Sequence, residues 1–176
     1  MMNGGAGLRK IVYLIVVSCL IALTGCSQEE NATQWYDTKE KAIHYGLKQE
    51  GTNETAILSI EDFKGETVVF YEFERALGVA SITESEEGFS WYRNRAYSGF
   101  EGDSPYSTVG FEFETETGLN VPILAGKASD ISIEKIQLKG DGLERDLRIF
   151  DTSRLFFSIH EAPFSLLEVI PIKANE

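Results

Sequence analysis

Phe111-Glu112-Phe113-Glu114 is the stretch whose reading decides the fold, because apolar and acidic residues alternate there with a period of two. Successive side chains of a β-strand point to opposite faces of the sheet, so this stretch buries one face and wets the other. An α-helix, with its period of 3.6, would scatter the same residues around its circumference. Ile131-Ser132-Ile133 repeats the alternation on a smaller scale.

Outward from that point, β-branched and aromatic residues keep the same period from Ala56 to Ile172, broken at short intervals by turns that carry glycine. The pattern predicts strands over 56–61, 66–75, 78–84, 88–97, 107–116, 119–125, 131–138, 143–150, 154–160 and 166–172. Lys64-Gly65, Glu86-Glu87-Gly88, Thr117-Gly118 and Gly140-Asp141-Gly142 each offer glycine where a hairpin needs positive φ, which makes antiparallel neighbours the expectation.

Before the strands lies one helical pattern. Tyr36, Ala42, Ile43, Gly46 and Leu47 share a side, while Lys39, Lys41, Lys48 and Gln49 fall elsewhere. A helix over 38–50 is predicted, opened by a capping box of Asp37 and Glu40 and closed at Gly51. Its apolar stripe needs a sheet to lie on. The fold expected is mainly β, a β-rich α+β arrangement in which one N-terminal helix packs on antiparallel sheets, two-layered and sandwich-like.

The chain carries 28 acidic residues against 16 basic ones, a net charge of −12. Such a surface repels phosphates, so no nucleic-acid partner is expected; solubility is the plainer account of the excess. Glu112 with Glu114, or Glu84 with Glu86, are carboxylate pairs of the kind glycoside hydrolysis uses, but so acidic a chain supplies such pairs by chance.

The first residues have a different character. Arg9-Lys10 precedes an apolar run from Ile11 to Ala22, and small residues lead to Cys26. At about 1.5 Å per residue the run spans roughly 18 Å as a helix, short of the roughly 30 Å hydrocarbon core, which fits a cleaved export signal. Counted from Leu8 to Gly25 the stretch approaches spanning length, so an uncleaved anchor is the competing reading.

Leu23-Thr24-Gly25-Cys26 closely resembles the lipobox of bacterial lipoproteins. The resemblance implies a diacylglyceryl thioether on Cys26, cleavage between Gly25 and Cys26, and attachment to the membrane through that lipid at its extracytoplasmic face. Two acyl chains anchor durably where one binds only marginally. The segment Val121-Pro122-Ile123-Leu124-Ala125-Gly126, followed by Ile131, Ile133, Ile136 and Leu138, is similar to patterns in small uncharacterised lipoproteins of Gram-positive bacteria. The layout implied is a signal peptide over 1–25, a lipidated tether over 26–35 and a β-rich globular domain over 36–176.

Loss of residues 1–25 would remove Arg9 and Lys10 and no acid, leaving 14 − 28 = −14. It would also remove Cys19, and lipid would consume Cys26, so thiol catalysis and cysteine metal sites are excluded from the remaining chain. No cofactor and no metal site is expected. Neither His44 nor His160 sits in a recognisable catalytic setting: Gly-x-Ser-x-Gly, His-Glu-x-x-His and a complete calcium loop are all missing, and Asp141 reads as a turn residue.

The candidate ligand-binding residues are Trp91, Arg93 and Arg95, within Phe89-Ser90-Trp91-Tyr92-Arg93-Asn94-Arg95-Ala96-Tyr97. On a regular strand Phe89, Trp91, Arg93 and Arg95 would share a face, and an aromatic plane beside a guanidinium suits a sugar or a peptide carboxylate. In the plainer reading the aromatics are core and the arginines neutralise neighbouring acids at the rim. The turn-rich 98–106 stretch adjoins this surface, and loops of that kind are frequent contact sites. The role these features suggest is a non-enzymatic binding or assembly module with an envelope protein partner; an envelope hydrolase and a small-ligand receptor subunit are the alternatives.

Overall fold

The computed structural model describes residues 33–140 and 142–174. The lipobox, Cys26, most of the tether and Asp141 lie outside the described residues. Strand β1 (Trp35–Tyr36) leads into helix α1 (Lys39–Gln49), and ten further strands follow: β2 (Ile57–Phe63), β3 (Glu66–Phe73), β4 (Ala76–Ser85), β5 (Gly88–Tyr92), β6 (Tyr106–Glu114), β7 (Asn120–Ala128), β8 (Ile133–Gly140), β9 (Leu143–Leu147), β10 (Leu155–Ile159) and β11 (Glu168–Lys173). The β-rich α+β class with antiparallel sheets is as the alternation predicts. Trp35, expected at the end of the tether, is already a strand residue paired with Ser90.

The strands make three sheets, ordered β1-β5-β4-β3-β2, β10-β7-β6 and β11-β8-β9. Their side chains pack into three clusters. Ala42, Ile43 and Leu47 of α1 bury against Val69, Tyr71, Ala80 and Ile82 on one face of the five-stranded sheet. Val68, Phe70, Leu77 and Val79 on its other face meet Phe111, Phe113, Val121, Ile123 and Leu155. Behind that second sheet, Leu124, Ala128 and Phe156 pack on Ile133, Ile136 and Leu138 of the third.

The order of layers is therefore helix, sheet, sheet, sheet, two more than the expected pair. The first sheet is covered on both faces around β3, which explains why Val68-Val69-Phe70-Tyr71 is an unbroken buried run and does not alternate. Phe111-Glu112-Phe113-Glu114 does alternate, buried and exposed in turn. Ile131, expected in a strand with Ile133, is instead 89% exposed on a turn, and β8 begins at Ile133.

The helix opens one residue later than the capping box implied. Thr38 is the N-cap, its hydroxyl accepting from the Lys41 amide at 3.2 Å, and Asp37 pairs with the Lys41 ammonium outside the helix. At the other end Thr52 N–H donates to the Leu47 carbonyl at 2.9 Å and Gly51 N–H to Lys48 at 3.1 Å. These paired bonds, with Gly51 at φ +82°, form a Schellman closure that leaves Glu50 at the C-cap.

Candidate functional site

Strand β5 ends at Tyr92, five residues before the predicted end, and the chain rejoins the sheet only where Ser98 pairs with Leu77. Tyr92 pairs with Ser81 (92 + 81 = 173) and Ser98 with Leu77 (98 + 77 = 175), so two residues more than the register allows are accommodated between them. An insertion of this kind breaks alternation and re-aims the side chains beyond it. The three candidate residues are parted as a result.

Trp91 faces the helix. A Cβ built on Gly46 would come within 2.1 Å of its ring, so the indole fills the space a larger helix residue would need. Arg93 lies at the C-terminal end of the same helix, donating from Nε to Glu50 at 2.8 Å, with its guanidinium 4.6 Å from the centre of the Tyr97 ring. Tyr97 donates its hydroxyl to the other Glu50 oxygen at 2.6 Å.

Glu50 sits where a helix dipole disfavours negative charge, and Arg93 with Tyr97 supplies the compensating positive charge and hydrogen bond. The Glu50 hydrogen bond raises the affinity of Arg93 for its proton, and burial does the same for Tyr97 and, more strongly, Tyr71 beneath it. Arg93 also donates from Nη1 to the Arg95 carbonyl at 2.5 Å, tying the inserted segment to the helix end. It is a framework residue.

Arg95 emerges on the opposite side. Its guanidinium lies 4.1 Å from the centre of the Phe111 ring, at the edge of the core between the first two sheets. Nε is buried without a hydrogen-bond partner, at a cost of about 1–3 kcal/mol. The terminal nitrogens are not among the buried unpartnered atoms and bond no described group, so water reaches them. Among the described residues Arg95 has no ion pair, although seven join other cations to acids.

Arg95 lines an open cleft of about 410 Å³, together with Tyr97, Phe100 and Glu101 on one wall and Ser107, Thr108 and Val109 of β6 on the other. The 98–106 loop singled out in the sequence thus contributes one wall. Sequence reasoning missed the β6 wall, since the packing of one sheet on another leaves no local mark.

A second recess of about 260 Å³ is lined by Lys39, Asp62, Glu66, Thr67 and Thr117, among others. Its polar groups answer one another: Lys39 donates to Thr67 at 2.8 Å, Thr67 to Asp62 at 3.0 Å, and Thr117 to Glu66. His160 is buried, with Nδ1 donating to the Ala162 carbonyl at 2.7 Å and Nε2 unpartnered beside a space of about 10 Å³, room for about one water. His44 is exposed and bonds Glu54. Among the described residues no three His, Cys, Asp or Glu side chains group as metal ligands, and Ser158 turns its hydroxyl to the Ile159 carbonyl.

No protein-family model, curated protein or solved structure matches this chain.

Proposed function

We propose that the chain is a lipid-anchored, extracytoplasmic binding module without catalytic activity, and that Arg95 is its anion-recognising residue. The observation that supports this most strongly is the state of Arg95 itself. In a chain of net charge −12, a guanidinium placed over the Phe111 ring in an open cleft has no carboxylate of its own. The Phe111 ring holds the guanidinium in place, and the two parallel N–H donors of its planar fork match a carboxylate. Tyr97 and Phe100 offer apolar surface beside it, and Ser98 and Ser107 offer hydroxyls.

The anchor is argued from Leu23-Thr24-Gly25-Cys26, and it makes an envelope component the expected ligand source. Trp91 and Arg93 serve the site indirectly, by holding the segment from which Arg95 projects. The test uses the full chain extracted from membranes into detergent micelles, with arginine side chains labelled with nitrogen-15. Titration with N-acetylalanine should move the Arg95 Nε–Hε signal, and titration with its uncharged amide should not. An Arg95 signal unmoved by N-acetylalanine would contradict the reading. Mass spectrometry of the amino-terminal peptide tests the address: diacylglyceryl on Cys26 supports it, and an unmodified Cys26 removes it.

A further inference from the structure

The β6 side of the cleft is the free edge of a sheet. Strand β6 pairs only with β7, and no backbone hydrogen bond joins Ser107–Glu114 to any described residue beyond that hairpin. Proteins blunt such edges with charge, proline, shortness or a covering segment. The other edges here are treated in these ways: β1 has two residues, β2 carries Glu61 and Asp62, β9 carries Glu144, Arg145 and Asp146, and β11 carries Pro171 and Lys173. Strand β10 has five residues, and the chain before it caps its start, Phe150 N–H donating to the Leu155 carbonyl at 2.9 Å.

Along the cleft, β6 reads Ser107-Thr108-Val109-Gly110, without charge or proline, and the last three of these residues are exposed. Glu112 and Glu114 charge the far half of β6; the half beside the cleft is left open, next to Arg95, which has no ion pair among the described residues. An extended peptide added to an open edge gains its affinity from main-chain hydrogen bonds.

We propose that the cleft binds the carboxyl-terminal segment of an extended peptide, which adds as a strand to β6 at Ser107–Val109 and seats its terminal carboxylate on Arg95. The inference rests on the carboxylate reading above and deepens it. Charge selects the terminus over acidic side chains: Glu101 lines the same cleft and the chain is acidic throughout, so a partner with one carboxylate, at its end, meets Arg95 with the least repulsion. Val109 and Phe100 supply apolar surface for the alternate side chains of such a strand.

The experiment offers the micelle-extracted full chain three pools of N-acetylated random hexapeptides: one lacking acidic residues with free carboxyl termini, the same pool amidated, and an amidated pool with one internal glutamate. Retention of the first pool alone is expected. Arg95→Gln should weaken the retained peptides by about tenfold or more, the loss of a single charge-assisted contact. Hydrogen exchange at the Ser107–Val109 amides should slow on binding. An unchanged unfolding curve for Arg95→Gln shows that the variant is folded.

Equal retention of the amidated pool would overturn the terminal carboxylate, and retention of the glutamate pool alone would make an internal acid the ligand. Binding that leaves exchange at Ser107–Val109 untouched would overturn strand addition. If N-acetylalanine moves the Arg95 signal but no peptide is retained, this inference fails while the carboxylate site stands. If neither binds, both fall.

Discussion

The missing side chain of Gly46 is what admits the Trp91 ring between helix and sheet. Alanine is the better helix former by about 1 kcal/mol, yet its methyl group would overlap a partly buried aromatic ring packed against the core. Overpacking of this kind costs about 1–3 kcal/mol, so Gly46→Ala should lower stability in urea unfolding despite the gain in propensity. The apolar side of the helix, Gly46 included, was legible from spacing. That Trp91 was its partner was not, because nothing local ties residue 46 to residue 91.

His160 gives the stability of the fold a pH dependence. Burial, helped by Arg145, lowers its pKa, outweighing the Ala162 carbonyl that favours the proton. Above about pH 6.5, the ordinary value, the imidazole is neutral folded or unfolded and the full contribution to stability is present. As pH falls below that value the unfolded chain takes up a proton that the folded chain refuses, so stability declines toward the lowered folded pKa. His160→Gln should flatten the fall of unfolding free energy measured between about pH 6.5 and pH 5. An equally steep fall in the variant would place the sensitivity elsewhere.

At the scale of elements, the strands were legible where one face is wet and less so where both are covered. Phe111 to Glu114 shows its alternation directly, whereas β3 reads as a solid apolar run because its two faces pack on different layers. Hairpins with glycine were visible in advance. The β3–β4 turn was not, because Glu74 and Arg75 both take positive φ without a glycine to signal it. The insertion after β5 was equally hidden, and it is the element that makes the site. A regular strand would have put Arg93 and Arg95 on one face; the extra residues send one to the helix end and the other to the cleft.

For the whole molecule, local pattern settled class but could not settle layering. Strand β10 joins β7 and β6 across the intervening β8–β9 hairpin, and no period in the sequence encodes that choice. Packing of the first sheet on the second brings β6 to Arg95. The candidate site was thus half legible: its cation and loop stood out in an acidic chain, and its second wall came only with the fold.

In the proposed function, two arginines two residues apart do different work, Arg93 as framework and Arg95 as the residue kept for a ligand. Urea unfolding of Arg93→Gln and Arg95→Gln, side by side in the full chain, tests it most directly. Arg93→Gln strips charge-assisted bonds from Glu50 and the Arg95 carbonyl and should cost about 2 kcal/mol. Arg95→Gln gives up a stacking contact of about 1 kcal/mol but also removes a buried unpaired N–H, so its stability should stay within about 1 kcal/mol of the parent. A loss at Arg95 equal to that at Arg93 would make both arginines structural and contradict the account.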